Sequence, residues 1–215
     1  MNDKSYQNIT TLLFDFDGTL LDSFSVHLDV FKLTFAHFGI SLSEKEFLEN
    51  YSPNWYKTYD ALGLKKDLWQ DADSYWLNEV EKRSAGLFTG VKELLLMLEQ
   101  KFTLGLVTSG SKTRVERDIV LTGIKNHFKT IITGDDITEP KPSPEGLVIA
   151  MKNLGVNADQ TIYIGDSSAD FEMAKAANVS FIGVRSSFDN LNYNHTEYRV
   201  YSLSELPSVI DIKVK

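Results

Sequence analysis

Two aspartates, Asp15 and Asp17, close the apolar run Ile9-Thr10-Thr11-Leu12-Leu13-Phe14 and are followed at once by Gly18-Thr19-Leu20. Side chains two apart on an extended chain project to the same side, so both carboxylates leave the strand end together before Gly18 turns the backbone into a loop. Carboxylates held that close repel each other, and the repulsion is relieved by a cation between them or by a proton kept on one. Either arrangement suits chemistry at phosphorus, with one acid as nucleophile and its neighbour as proton carrier. A solvated Asp-Gly turn has the same composition. The pair therefore gains meaning from what else the chain supplies.

Three further polar groups follow strand-like apolar runs. Thr108-Ser109-Gly110 comes after Thr103–Val107 and precedes a helix expected to begin near Ser111. Hydroxyls and backbone amides at a helix start form an anion pocket, and the same residue types also serve as plain helix caps. Lys141 stands in Glu139-Pro140-Lys141-Pro142, a cation on a stretch stiffened by prolines and able to neutralise an acid and a reacting anion together. Asp166 follows Thr161-Ile162-Tyr163-Ile164-Gly165, and Asp170 lies one helical turn further on the same face. Carboxylates, a backbone carbonyl and solvent satisfy the octahedral oxygen preference of Mg²⁺, although acids near a helix start are favoured by its dipole in any case.

In order, Asp15-Phe16-Asp17-Gly18-Thr19, Thr108-Ser109-Gly110, Lys141-Pro142-Ser143-Pro144 and Gly165-Asp166-Ser167-Ser168-Ala169-Asp170 resemble the four motifs of the haloacid dehalogenase superfamily of hydrolases. The resemblance spans nearly the whole chain and is to phosphoglycolate phosphatases in motif order and cap type. It implies a phosphatase acting on a small phosphomonoester, with Asp15 as nucleophile forming an aspartyl-phosphate and Asp17 as general acid and base. It further implies phosphate binding by Thr108, Ser109, Gly110 and Lys141. Mg²⁺ would be held by Asp15, the Asp17 carbonyl and Asp166. Asp170, Gly18 and Thr19 would support the site, with Asp170 orienting a metal-bound water or Lys141.

The dehalogenase branch of that superfamily lacks an acid at the position of Asp17, which favours the phosphatase. Two alternatives stay open: a phosphomutase of the same superfamily, distinguished by a cap that holds a second phosphate, and a receiver-like module phosphorylated without turnover. One departure from the family pattern is Ala176-Ala177-Asn178, where family members usually carry Ala-Gly. Asn also tolerates the left-handed conformation that ends a helix.

Composition narrows the classes. A chain of 215 residues with 42% hydrophobic and 24% charged residues suits one principal globular core plus an insertion. Its net charge of −8 argues against a nucleic-acid partner bound over a wide face. With no cysteine, disulfides and thiolate chemistry are excluded, and any metal must take oxygen or imidazole ligands. No run approaches membrane-spanning length and the N-terminus lacks a secretory pattern, so no membrane partner and a cytoplasmic location are expected.

These groups need a frame. Strand-like runs at residues 9–14, 102–107, 130–133, 161–164 and 179–184, separated by segments of helical periodicity, predict an α/β, Rossmann-like parallel sheet with helices on both faces. Ligand sites on such sheets lie beyond the carboxyl ends of the strands, where all four motifs fall. Residues 22–87 read as several helices: one over 26–38, one opened by the capping box Ser43 to Glu46, and a longer run over 65–83. This predicts an inserted helical cap domain, residues 22–87, with the catalytic core formed by 1–21 and 88–215. Trp55, Trp69, Trp76, Tyr51, Tyr56, Tyr59 and Tyr75 all lie in the insertion and are expected mainly to fill its core, the alternative being a substrate-selecting lining. Helices are also expected after Phe88, from a Ser143 cap to Leu154, and after Ser168. A last short strand and helix are expected within residues 193–215.

Overall fold

The computed structural model describes residues 8–51, 55–185 and 199–214. The chain forms two compact units, Met1–Leu21 with Leu87–Lys215, and Asp22–Gly86.

The first unit is built on a sheet of β1 (Thr11–Phe14), β2 (Thr103–Val107), β3 (Phe128–Ile132), β4 (Thr161–Gly165), β5 (Ser180–Val184) and β6 (Arg199–Val200), in the order β3-β2-β1-β4-β5-β6. Every pairing is parallel. β1 sits at the centre, its four residues buried, with Phe14 opposite Leu106 on one side and Ile164 on the other. Parallel strands buried on both faces read as continuous apolar runs, which is how β1 to β5 stand out in the sequence.

Among the described residues this unit also holds α5 (Val91–Leu98), α6 (Lys112–Leu121), α7 (Glu145–Leu154), α8 (Ser168–Ala176) and α9 (Leu206–Val214), of which α7 packs on β2 and β3 and α8 on β4 and β5. On one face, Leu13, Val107, Ile132 and Tyr163 pack with Leu147, Ala150 and Met151 of α7 and Met173 and Ala174 of α8. The alternate strand residues Leu12, Phe14, Leu104, Leu106, Ile162 and Ile164 point the other way and are equally buried, so both faces are covered. The Ser143 hydroxyl accepts from the Glu145 amide, the first of α7, at 3.4 Å. Pro144 occupies the cap position with helical φ, and the helix starts at Glu145. α7 ends at Gly155 in the left-handed conformation, and Asn178 after α8 takes the same one at φ +56. Residues 193–198 of the expected C-terminal segment lie outside the described residues.

The second unit holds α1 (Phe24–His37), α2 (Glu44–Asn50), α3 (Trp55–Ala61) and α4 (Trp69–Val80). α1 begins two residues before its expected start, and the segment expected as one run over 65–83 is a 3-10 turn followed by the shorter α4. Ser43 and Glu46 form the reciprocal capping box that opens α2. Buried positions on α1 recur at helical spacing, and Phe31 meets Phe47 at 5.0 Å, Trp76 at 5.9 Å and Tyr59 at 6.3 Å between ring centroids. Tyr59 is core, whereas Trp55 and Tyr56 are exposed at 36% and 41%, so the aromatic set is divided between core and surface.

Candidate active site

The carboxyl end of β1 starts the site. The Asp15 amide donates to the Ile164 carbonyl at 2.8 Å, extending the ladder with β4 by one residue and fixing Asp15 at the sheet edge. Phe16 is fully buried between the two acids, so alternation sends Asp15 and Asp17 to the opposite side. The backbone then coils so that the amides of Thr19, Leu20 and Leu21 converge on the Phe16 carbonyl. Gly18 adopts φ +75, and a Cβ there would lie 2.3 Å from Asp166 Oδ2. Only glycine lets the loop approach that carboxylate. The Thr19 hydroxyl donates to Asp166 Oδ1 at 3.4 Å from the same loop.

Lys141 reaches this edge from the loop before α7. Its ammonium donates to Asp15 Oδ1 at 2.6 Å, to Asp170 Oδ1 at 2.8 Å and to the Tyr163 hydroxyl at 2.8 Å, using all three protons. Asp170 is fixed from its own helix as well. Its Oδ2 accepts from the Ser167 amide at 2.9 Å and hydroxyl at 2.6 Å, while the Ser167 hydroxyl accepts from the Asp170 amide, the capping box of α8. Tyr163 Oη lies 3.0 Å from both Asp170 Oδ1 and the Val107 carbonyl, joining β4 to β2 beneath the lysine.

Asp15, Asp166 and Asp170 are all buried, and one oxygen from each lies within 4.8 Å of the others. Among the described residues the Lys141 ammonium stands against this cluster of carboxylates, and a divalent cation would add positive charge to it. The donors are hard oxygens suited to Mg²⁺. Asp170 has both oxygens engaged by Lys141, Tyr163 and Ser167, so Asp15 and Asp166 fit the metal better, with Asp170 behind them.

The titration behaviour reflects the same crowding. Burial pushes the Asp15 carboxyl up to about 7; Lys141 opposes this, and Asp170 and Asp17 add to it. Asp170 is held below its ordinary value because Lys141 and the Ser167 donors outweigh its burial. Burial works against the Lys141 charge, yet Asp15 and Asp170 hold its pKa above the usual range.

Thr108 follows the end of β2 with its amide on the Ile132 carbonyl. Its hydroxyl accepts from the Gly110 amide at 3.2 Å and so keeps its proton to donate, and Ser109 is exposed beside it. The amide pocket expected at the start of α6 is partly taken: Lys112 N–H donates to Asp135 Oδ2 at 2.5 Å.

Two residues here were not singled out from sequence. Tyr163 read only as strand filling, although a tyrosine buried in a central strand needs a partner for its hydroxyl. Arg114, on α6, is 4% exposed and its Nη1 donates to Asp17 Oδ1 at 3.0 Å, while Nη2 donates to Asp17 Oδ2. The signal present was its spacing to Asp118, one helical turn on, with which it also pairs.

The family model for haloacid dehalogenase-like hydrolases matches residues 12–184. The chain belongs to this family. It is 30% identical over 210 residues to the pyrophosphatase PpaX of Oceanobacillus iheyensis, covering 95% of this chain and 97% of that one. A crystal structure from Lactobacillus plantarum, provisionally named a phosphoglycolate phosphatase, superposes with a TM-score of 0.85 at 22% identity, covering 94% and 99% of the two chains. A haloacid dehalogenase-like hydrolase from Streptococcus pneumoniae gives 0.81 at 23% identity, covering 94% and 98%. The enzyme is thus a hydrolase of the phosphatase type, with the α/β fold of that family. Among the described residues no helix is long and apolar enough to cross a membrane.

Proposed function

We propose that the enzyme is a Mg²⁺-dependent phosphatase that hydrolyses a small phosphomonoester through an aspartyl-phosphate on Asp15. One observation carries this reading: Lys141 Nζ stands 2.6 Å from Asp15 Oδ1 within a buried cluster of carboxylates. A buried acid with its ammonium partner is poised to attack phosphorus once a phosphoryl group shares the same positive charge. Asp15, Asp166 and the Asp17 carbonyl would hold the Mg²⁺, with Asp170 supporting them. The ion would supply neutralisation of the phosphoryl oxygens.

In the first half-reaction Asp15 takes the phosphoryl group while Asp17 protonates the leaving alkoxide. In the second, Asp17 removes a proton from the attacking water, because it ends the first step in the form the second requires. The hydroxyls of Thr108 and Ser109 orient the phosphoryl oxygens, with Gly110 shaping their loop, and Lys141 balances charge throughout. Residues 22–87 are assigned as a helical cap domain, and a cytoplasmic location completes the reading.

The relationship to PpaX favours a second substrate, inorganic pyrophosphate, which the same residues would cleave with phosphate as leaving group. Asp15→Asn decides the nucleophile. That variant should retain its fold and lose turnover of 4-nitrophenyl phosphate with Mg²⁺ present, and unchanged turnover would remove Asp15. Comparing kcat/KM for pyrophosphate, phosphoglycolate and sugar phosphates ranks the substrates. A receiver-like module would instead be labelled once by acetyl phosphate without turnover, and a phosphomutase would isomerise a sugar phosphate.

A further inference from the structure

Arg114 is buried on α6 between two acids. On one side both of its terminal nitrogens engage the two oxygens of Asp17, which lies 97 residues earlier. On the other, Nη1 lies 3.5 Å from Asp118 Oδ2, and Asp118 is itself buried and held by Arg117 Nε at 2.8 Å. The guanidinium passes directly over Gly110, where a Cβ would come within 2.2 Å of Nη2. The phosphate-loop glycine therefore makes room for the arginine.

We propose that Arg114 is a positioning residue that fixes the carboxylate of Asp17 in the orientation from which it delivers a proton to the leaving group. The inference rests on the reading of Asp17 as general acid. A carboxylate offers about four acceptor sites over its two oxygens. The planar fork takes one on each, so the directions of the remaining sites are set by the guanidinium plane. The Asp118 contact restrains the fork from behind. Without Arg114, Asp17 would lose its aim, and proton transfer falls steeply once a group leaves hydrogen-bond reach.

Leaving-group dependence separates positioning from general damage. A phenolate of high pKa needs the proton, whereas 2,4-dinitrophenolate departs without it, and kcat/KM reads the steps up to departure. Wild type, Asp17→Asn, Arg114→Gln and Arg114→Lys are assayed with Mg²⁺ on aryl phosphates from phenyl to 2,4-dinitrophenyl phosphate. For Arg114→Gln, kcat/KM should fall about 10²-fold on phenyl phosphate and less than about fivefold on the dinitrophenyl ester, steepening the dependence as Asp17→Asn does. Arg114→Lys keeps the buried charge if the Gln variant does not fold. It should still lose about tenfold on phenyl phosphate alone, because an ammonium cannot grip both oxygens. Equal losses across the series, or wild-type slopes in both Arg114 variants, would overturn the proposal. A flat series for Asp17→Asn would instead remove the reading of Asp17 beneath it.

Discussion

Lys141 Nζ lies 2.6 Å from Asp15 Oδ1 across 126 residues of sequence, and the same ammonium holds Asp170 and Tyr163. Removing it leaves adjacent buried acids without their shared cation. Breaking such a group by deleting one partner costs about 3 kcal/mol or more, here softened because Asp15 can take up a proton. Lys141→Met should therefore lower the thermal midpoint of the metal-free protein. It should also lower kcat at least about 10²-fold, the scale of losing one preorganised charge contact. Calorimetry and steady-state kinetics check both, and near-normal kcat would show that Lys141 is not needed for transfer.

The Asp15 carboxyl predicts a pH dependence with a definite sign. In the folded protein it holds its proton up to about pH 7, against 3.8 in its unperturbed state, so between those values the native state binds more protons than the unfolded chain. Stability of the metal-free enzyme should fall as pH rises through this window. The depressed Asp170 acts elsewhere: its contribution is complete above its unfolded value and is lost only in stronger acid. Thermal melts from pH 4 to 8 should show a decline in wild type that is weaker in Asp15→Asn, the difference cancelling other titrating acids. Mg²⁺, competing with that proton, should raise the midpoint more at pH 8 than at pH 6.

The strands and the acids were legible for a shared reason: each central strand is an apolar run buried on both faces, and the motifs fall where those runs end. Asp15, Lys141, Asp166 and Asp170 come together because β1 and β4 are neighbours and the Lys141 loop leads into α7, which packs on β2 and β3. Arg114 was hidden because its i,i+4 partner Asp118 looks like a solvated helix pair, and only the packing of α6 shows that both are buried. Tyr163 was hidden because a strand residue reveals its side chain's direction but not what its hydroxyl meets. The division of cap aromatics between core and surface was equally unreadable, since Trp and Tyr suit either place.

Gly18 is expected to tolerate no side chain. Its φ of +75 and the 2.3 Å separation between a built Cβ and Asp166 Oδ2 mean that Gly18→Ala must strain the backbone and push that carboxylate aside. The strain alone costs about 1–3 kcal/mol. Titration calorimetry should find weaker Mg²⁺ binding in Gly18→Ala, alongside a lower thermal midpoint. A variant that melts earlier yet binds Mg²⁺ normally would separate Asp166 from the metal.

Tyr163 should matter to the frame more than to the reaction. Its hydroxyl accepts one Lys141 proton and bridges toward Asp170 and the Val107 carbonyl, so Tyr163→Phe leaves an ammonium proton without its buried acceptor while sparing the Lys141 contacts to Asp15 and Asp170. An unmet buried donor costs about 1–3 kcal/mol. The thermal midpoint should fall accordingly, with kcat reduced less than about tenfold because the charge facing the nucleophile stays in place. Residues sharing one network do not act independently. Tyr163→Phe combined with Asp170→Asn should therefore cost less than the two single changes together, since either change already loosens the ammonium. Strict additivity would mean that the Tyr163 and Asp170 contacts to Lys141 act independently.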